Sequence, residues 1–155
     1  MNKKYYIAYG SNLNMAQMTY RCPTAEPIGT ATIKDYELLY KGSKTGSYAT
    51  IEPKEGAMVP VGIWSIQQRD EERLDIYEGY PGFYYKKDMK VEVTSLEGED
   101  LGELEAMVYI MHEEREFGTP SMRYIYTIID GYQDFGIDKG PLLESINKIN
   151  ENCNR

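Results

Sequence analysis

Histidine and cysteine are the scarcest reactive residues of this 155-residue chain, which holds one histidine, His112, and two cysteines, Cys22 and Cys153. A single histidine excludes a multi-histidine metal centre, and it leaves one candidate for any Ser–His or Cys–His pair. The two cysteines lie far apart, show no C-x2-C zinc spacing, and are expected as free thiols. Basic residues are also in deficit: 17 Lys plus Arg stand against 25 Asp plus Glu, a net charge of −8. That charge repels phosphate backbones and anionic lipid, so it argues against nucleic-acid and membrane-surface partners. No run of about 18 apolar residues exists, so no membrane span is expected. The apolar stretch after Lys3 and Lys4 is too short and too tyrosine-rich for a signal peptide, which points to a cytoplasmic protein. Repeats, low-complexity tracts and Pro- or Ser-rich linkers are missing too. One domain over residues 1–155 is the expectation, with 150–155 as a frayed polar tail.

Tyrosine is what the chain has in plenty: 15 Tyr against 3 Phe and 1 Trp. Most of these are expected on half-buried strand positions. Strands are indicated at Lys4 to Ala8, Thr30 to Tyr40, Tyr48 to Ile51, Val59 to Ile66, Tyr84 to Leu96 and Leu104 to Met111. Gly42 to Gly46 is a polar loop. Helices are indicated at Asn14 to Tyr20, capped by Asn12 or Asn14, and at Gln67 to Glu78, stopped by Gly79. A third opens at Thr119 and Pro120 and ends at Gly136, and a last one carries Leu142, Ile146 and Ile149. The order is not a regular βαβ repeat. An α+β fold follows: a small mixed barrel, closed or strongly bent, of about six strands flanked by short helices.

Two segments carry the chemistry. In Tyr9-Gly10-Ser11-Asn12-Leu13 a strand meets a helix start. Glycine lets the backbone turn sharply there, and successive N–H groups backed by a helix dipole can hold an anion. On its own, such a segment is more often a plain strand-to-helix turn. The second is Leu74-Asp75-Ile76-Tyr77-Glu78-Gly79-Tyr80-Pro81. Glu78 falls in the final helical turn, where the negative end of the dipole disfavours ionisation. Tyr77 and Tyr80 nearby add desolvation in the same direction, which suits a general base. Taken alone, such a residue is more often one more solvated glutamate of an acidic chain. Ser11 has no histidine in its motif, so binding suits it better than nucleophilic attack. His112 is expected at the surface without a role.

Together these segments resemble the γ-glutamylcyclotransferase family and its AIG2-like relatives. The resemblance runs from Tyr9-Gly10-Ser11-Asn12-Leu13 through Asp35-Tyr36-Glu37-Leu38, Tyr48-Ala49-Thr50-Ile51 and Val61-Gly62-Ile63-Trp64. It continues with Leu74 to Gly79 and Tyr84, and closes with Pro120-Ser121-Met122-Arg123-Tyr124. It implies a mixed β-barrel with helices around it. It implies that Tyr9, Gly10, Ser11, Asn12 and Leu13 bind the amino-acid end of a γ-glutamyl group. It further implies that Glu78 is the acid/base and that Tyr84 and Tyr124 line the pocket. Asn12 stands where the glutathione-specific branch usually has another residue. Lys41 to Gly46 and Gly82-Phe83 depart from the family pattern, on the side implied for the leaving group.

The implied substrate is a small γ-glutamyl amide, which carries its own nucleophile. Its α-amine attacks its γ-carbonyl, closing 5-oxoproline and expelling an amine. Such a closure draws on an effective molarity of up to about 10⁵–10⁸ M, so neither metal nor cofactor is required. The alternative is a non-catalytic module binding a small amine or amino acid on the same fold. Nothing in the sequence decides between monomer and homodimer.

Overall fold

Five long or medium strands and one short one are seen in a computed structural model that describes residues 3–43 and 46–154. They are β1 (Lys4–Ala8), β2 (Glu26–Ser43), β3 (Gly46–Ile66), β4 (Tyr84–Ser95), β5 (Asp100–Met111) and β6 (Glu116–Phe117). The sheet runs β3-β1-β5-β4-β2-β6, and an additional β2–β3 pairing closes the first five into a barrel. β1 and β5 are parallel. The other pairs are antiparallel, with β6 added to β2 at Lys41↔Phe117. The expected mixed barrel flanked by helices is the fold.

β2 and β3 form one long hairpin, and here the structure departs from the strand boundaries expected above. The segments 48–51 and 59–66 belong to a single strand. The turn-like residues between them pass through a register irregularity at Asp35, between the pairs Tyr36↔Pro53 and Lys34↔Met58. Asp35 takes a left-handed φ of 63°, and its Oδ1 accepts from the Gly56 N–H at 2.9 Å. That local bond lets the strand absorb extra residues without breaking. Of the expected loop 42–46, Gly42, Ser43 and Gly46 lie in strands, while Lys44 and Thr45 are outside the described residues.

Among the described residues five helices accompany the barrel: α1 (Met15–Arg21), α2 (Gln68–Glu78), α3 (Met122–Phe135), α4 (Gly140–Asn147) and α5 (Ile149–Cys153). Asn14 caps α1, its side chain accepting from Gln17 N–H. The cap of α3 is Ser121 rather than Thr119, because the Ser121 hydroxyl reaches the Tyr124 N–H three residues on. The C-terminal segment is helical where a frayed tail was expected. Ile149 and Asn152 fall three apart on one face of α5, and both are buried. Arg155 is outside the described residues.

The core includes Ile7, Leu13, Met18, Ile63, Trp64 and Ile66, all fully or almost fully buried. Burying side chains of this size contributes roughly 1.5–3 kcal/mol each. Cys22 is buried and Cys153 exposed, and both are free thiols. No helix among the described residues is long and apolar enough to cross a membrane.

Candidate active site

The turn after β1 is held from several sides. Ser11–Leu13 forms a single 3₁₀ turn. The Leu13 N–H donates to Gly10 O and the Asn14 N–H to Ser11 O, each at 3.0 Å. The backbone N–H groups this turn can offer an anion are therefore those before Leu13. The Trp64 indole N–H donates to the Asn12 carbonyl at 3.0 Å and ties the turn to β3. A Cβ at Gly10 would lie 3.2 Å from Ala49 Cβ and 3.3 Å from Tyr124 Oη. Glycine is thus what lets the backbone approach that wall so closely. Leu13 is fully buried and faces the core, not the cavity. A Cβ on Gly131 of α3 would come within 2.6 Å of it. The residue expected to bind ligand instead anchors the turn beneath α3.

Helix α2 brings the carboxylate. Its N-terminus is a capping box of Gln67 and Asp70, and Gly79 stops it at φ 64°. Only Asp70 and Leu74 of this helix are buried. They stand four residues apart, and Glu78 is the next position on that inward stripe. Tyr77 shares a different flank, and its hydroxyl lies 3.0 Å from Ser11 Oγ.

These two pieces enclose one cavity of about 400 Å³. Its walls include Tyr9, Gly10, Ser11, Asn12, Glu78, Tyr84 and Tyr124, so every expected site residue except Leu13 is there. Asn12 Nδ2 donates to Tyr6 Oη at 2.8 Å and to Glu78 Oε1 at 3.4 Å. Asn12 Oδ1 accepts from the Arg21 guanidinium, which also lies 3.5 Å above the Tyr77 ring. Burial pushes the Glu78 carboxyl up to about 8, with Arg21 pulling the other way. The residue as a whole is only half-buried. The expected direction holds, with desolvation as its largest cause.

The tyrosine hydroxyls follow a definite order. Tyr9 donates to Tyr109 O and Tyr84 to Ala49 O, both at 2.7 Å. Tyr124 accepts from the Ala49 N–H at 2.9 Å, and Tyr6 accepts from Asn12. Tyr124 and Tyr6 therefore keep a hydrogen to donate, whereas the hydrogens of Tyr9 and Tyr84 are taken. Burial raises all four phenols well above their ordinary value, so they stay protonated. Among the described residues lining the cavity, Glu78 is the one carboxylate, and no Lys, Arg or His stands with it.

Tyr6 and Tyr109 also line the cavity and were not singled out in the sequence; Tyr48, from a segment of the family resemblance, and Phe83, from a segment that departs from it, line the cavity too. Tyr6 shows the only usable signal, a polar-tipped residue inside a strand that ends on the turn. His112 is half-buried, and its Nε2–H donates to Pro81 O at 2.8 Å, steadying the segment after α2. Among the described residues no group of three or more His, Cys, Asp or Glu side chains is set to hold a metal.

A family model described as gamma-glutamyl cyclotransferase, AIG2-like, matches residues 6–126. The chain belongs to this family. The matched span contains the turn, Glu78, Tyr84 and Tyr124. Human gamma-glutamylcyclotransferase is 30% identical over 139 residues, covering 85% of this chain and 71% of the relative. A solved gamma-glutamyl cyclotransferase structure matches with a TM-score of 0.75 at 27% identity, over 96% of this chain and 87% of that one. YkqA from Bacillus subtilis matches with a TM-score of 0.70 at 21% identity, over 99% of this chain and 55% of its own. At that identity the likeness concerns the fold alone.

Proposed function

We propose that this protein is a γ-glutamyl cyclotransferase that converts a small γ-glutamyl amide to 5-oxoproline and a free amine, with Glu78 as acid/base. One observation carries the reading: the Glu78 carboxyl and the Gly10–Asn12 turn face a single cavity, bridged by the Asn12 amide. The substrate carboxylate fits the neutral N–H donors of the turn that precede Leu13.

In the reaction, Glu78 as carboxylate accepts a proton from the α-ammonium. The freed amine attacks the γ-carbonyl carbon, forming the ring C–N bond and an oxyanion. Tyr6 and Tyr124, which retain hydrogens to donate, are the side-chain candidates to stabilise that oxyanion. Collapse breaks the amide C–N bond as Glu78 returns its proton to the leaving nitrogen. In all, the α-nitrogen loses two protons and the leaving nitrogen gains two. Glu78 carries one, and solvent exchanges the other. A carboxyl titrating near 8 is well matched to both acts at neutral pH.

The test is a panel of γ-glutamyl amides incubated with pure protein, following 5-oxoproline by mass spectrometry. Release from at least one amide, lost in Glu78→Gln, is expected. Saturable binding without 5-oxoproline from any of them would replace this reading with that of a binding module.

A further inference from the structure

We propose that Arg21 is a positioning residue, which sets the direction of the hydrogen bonds around Glu78 by acting through Asn12. The proposal rests on the cyclotransferase reading in taking Glu78 as the acid/base. It assigns a role to a side chain that does not line the cavity.

An asparagine amide is nearly symmetric in shape but not in polarity, and what surrounds it decides which end is which. Around Asn12 the neighbours are Tyr6 and Glu78 on one side and Arg21 on the other. A guanidinium only donates, so it compels Oδ1 to face α1. The NH2 group is thereby turned toward Glu78 Oε1 and Tyr6 Oη. A flipped amide would set its oxygen against the Glu78 carboxylate. Because Tyr6 accepts from Asn12, its own hydrogen is left for another acceptor, and Tyr6 lines the cavity. One donor-only group thus orders three successive polar groups.

The guanidinium is itself held. Its Cζ lies 3.5 Å from the centre of the Tyr77 ring, and its second nitrogen donates to Gln17 Oε1 at 3.3 Å, one turn earlier on α1. Tyr77 in turn meets Ser11 Oγ. Arg21 therefore joins α1, α2 and the turn at the point where Glu78 enters. The titratable groups facing Glu78 are Tyr6 of β1, Tyr9 just after it, Tyr84 of β4 and Tyr124 of α3. Arg21 of α1 is the charge that acts on it. Lysine keeps the charge but lacks the planar stack and fork, so charge and geometry can be separated.

The experiment compares Arg21→Met, Arg21→Lys, Asn12→Ala and the double variant Arg21→Met/Asn12→Ala, using the best γ-glutamyl amide from the panel. Arg21→Met is expected to lower kcat by about tenfold with little change in KM, and to move the acid limb of the pH profile upward. Arg21→Lys keeps that limb near the wild-type position while kcat stays low. The double variant is no slower than the worse single one, since both act through one amide. Additive losses, or Arg21→Met with an unmoved limb and unchanged kcat, would overturn the proposal. Should Arg21→Met not fold, Arg21→Lys decides it: wild-type kcat counts against, a reduced kcat with the limb in place counts for. If the wild-type protein turns over no γ-glutamyl amide, the function above fails instead. Arg21 is then read from the ¹³C titration of the Glu78 carboxyl, whose midpoint must rise in Arg21→Met.

Discussion

Asn12 Nδ2 lies 3.4 Å from Glu78 Oε1, although 66 residues separate the two in the chain. The contact joins the turn to the carboxylate, and it makes Glu78 the residue whose removal is most selective. Glu78→Gln keeps the shape and loses the base. Turnover is expected to fall roughly 10²–10⁴-fold, the usual span for a positioned acid/base. Binding of 5-oxoproline, measured by calorimetry, should survive.

The raised carboxyl predicts a pH dependence of opposite sign for activity and stability. The base must be ionised, so kcat/KM is expected to climb with pH through a midpoint of about 8. Folding works the other way. The folded state holds its proton more tightly than the unfolded chain, whose carboxyl has the ordinary value of 4.5. Stability from this group is fully present below that value and is lost as pH rises toward about 8. Thermal melts of Glu78→Gln should therefore exceed wild type at pH 9, with the gap narrowing at pH 6.

Tyr84 and Tyr124 grip the two sides of the Ala49 peptide, one donating to its carbonyl and the other accepting from its N–H. Phenylalanine at either position leaves a buried backbone group unpaired, at about 1–3 kcal/mol. Both variants should melt lower. Of these two, Tyr124 is the one with a hydrogen left for ligand, so kcat/KM is expected to drop by at least about tenfold further in Tyr124→Phe than in Tyr84→Phe. Steady-state kinetics on the two folded variants checks the difference.

Leu13 separates motif from site. It sits in the conspicuous five-residue segment but is fully buried. Leu13→Ala should cost about 2–5 kcal/mol through lost burial and the cavity left behind. At temperatures where the variant remains folded, its KM should stay close to wild type.

Much of the architecture was legible because it rests on local patterns. β1 and α2 were bounded to within a residue, β1 by its Tyr and Ile content and the stop at Gly10-Ser11-Asn12, α2 by an acidic first turn and by Gly79. What escaped depended on partners. The continuity of β3 needs the bulge at Asp35, whose left-handed backbone is stabilised by a bond to Gly56 across the hairpin. The C-terminal helix needs a surface on which to bury Ile149 and Asn152.

For the site, the sequence marked Glu78, Asn12 and their neighbours as candidates through a glycine turn, a helix end and a family resemblance, and the fold brings these candidates to one cavity. The sequence also placed Glu78 at the end of a helix, where ionisation is disfavoured. Tertiary packing decided which of the tyrosines keep a hydrogen for a ligand, that Leu13 turns inward, and that Arg21 meets Asn12. Hydrogen-bond direction and desolvation belong to pairs of groups. A pair such as Ser11 and Tyr77, or Asn12 and Glu78, comes into being only when the barrel closes and brings the end of α2 against the turn after β1.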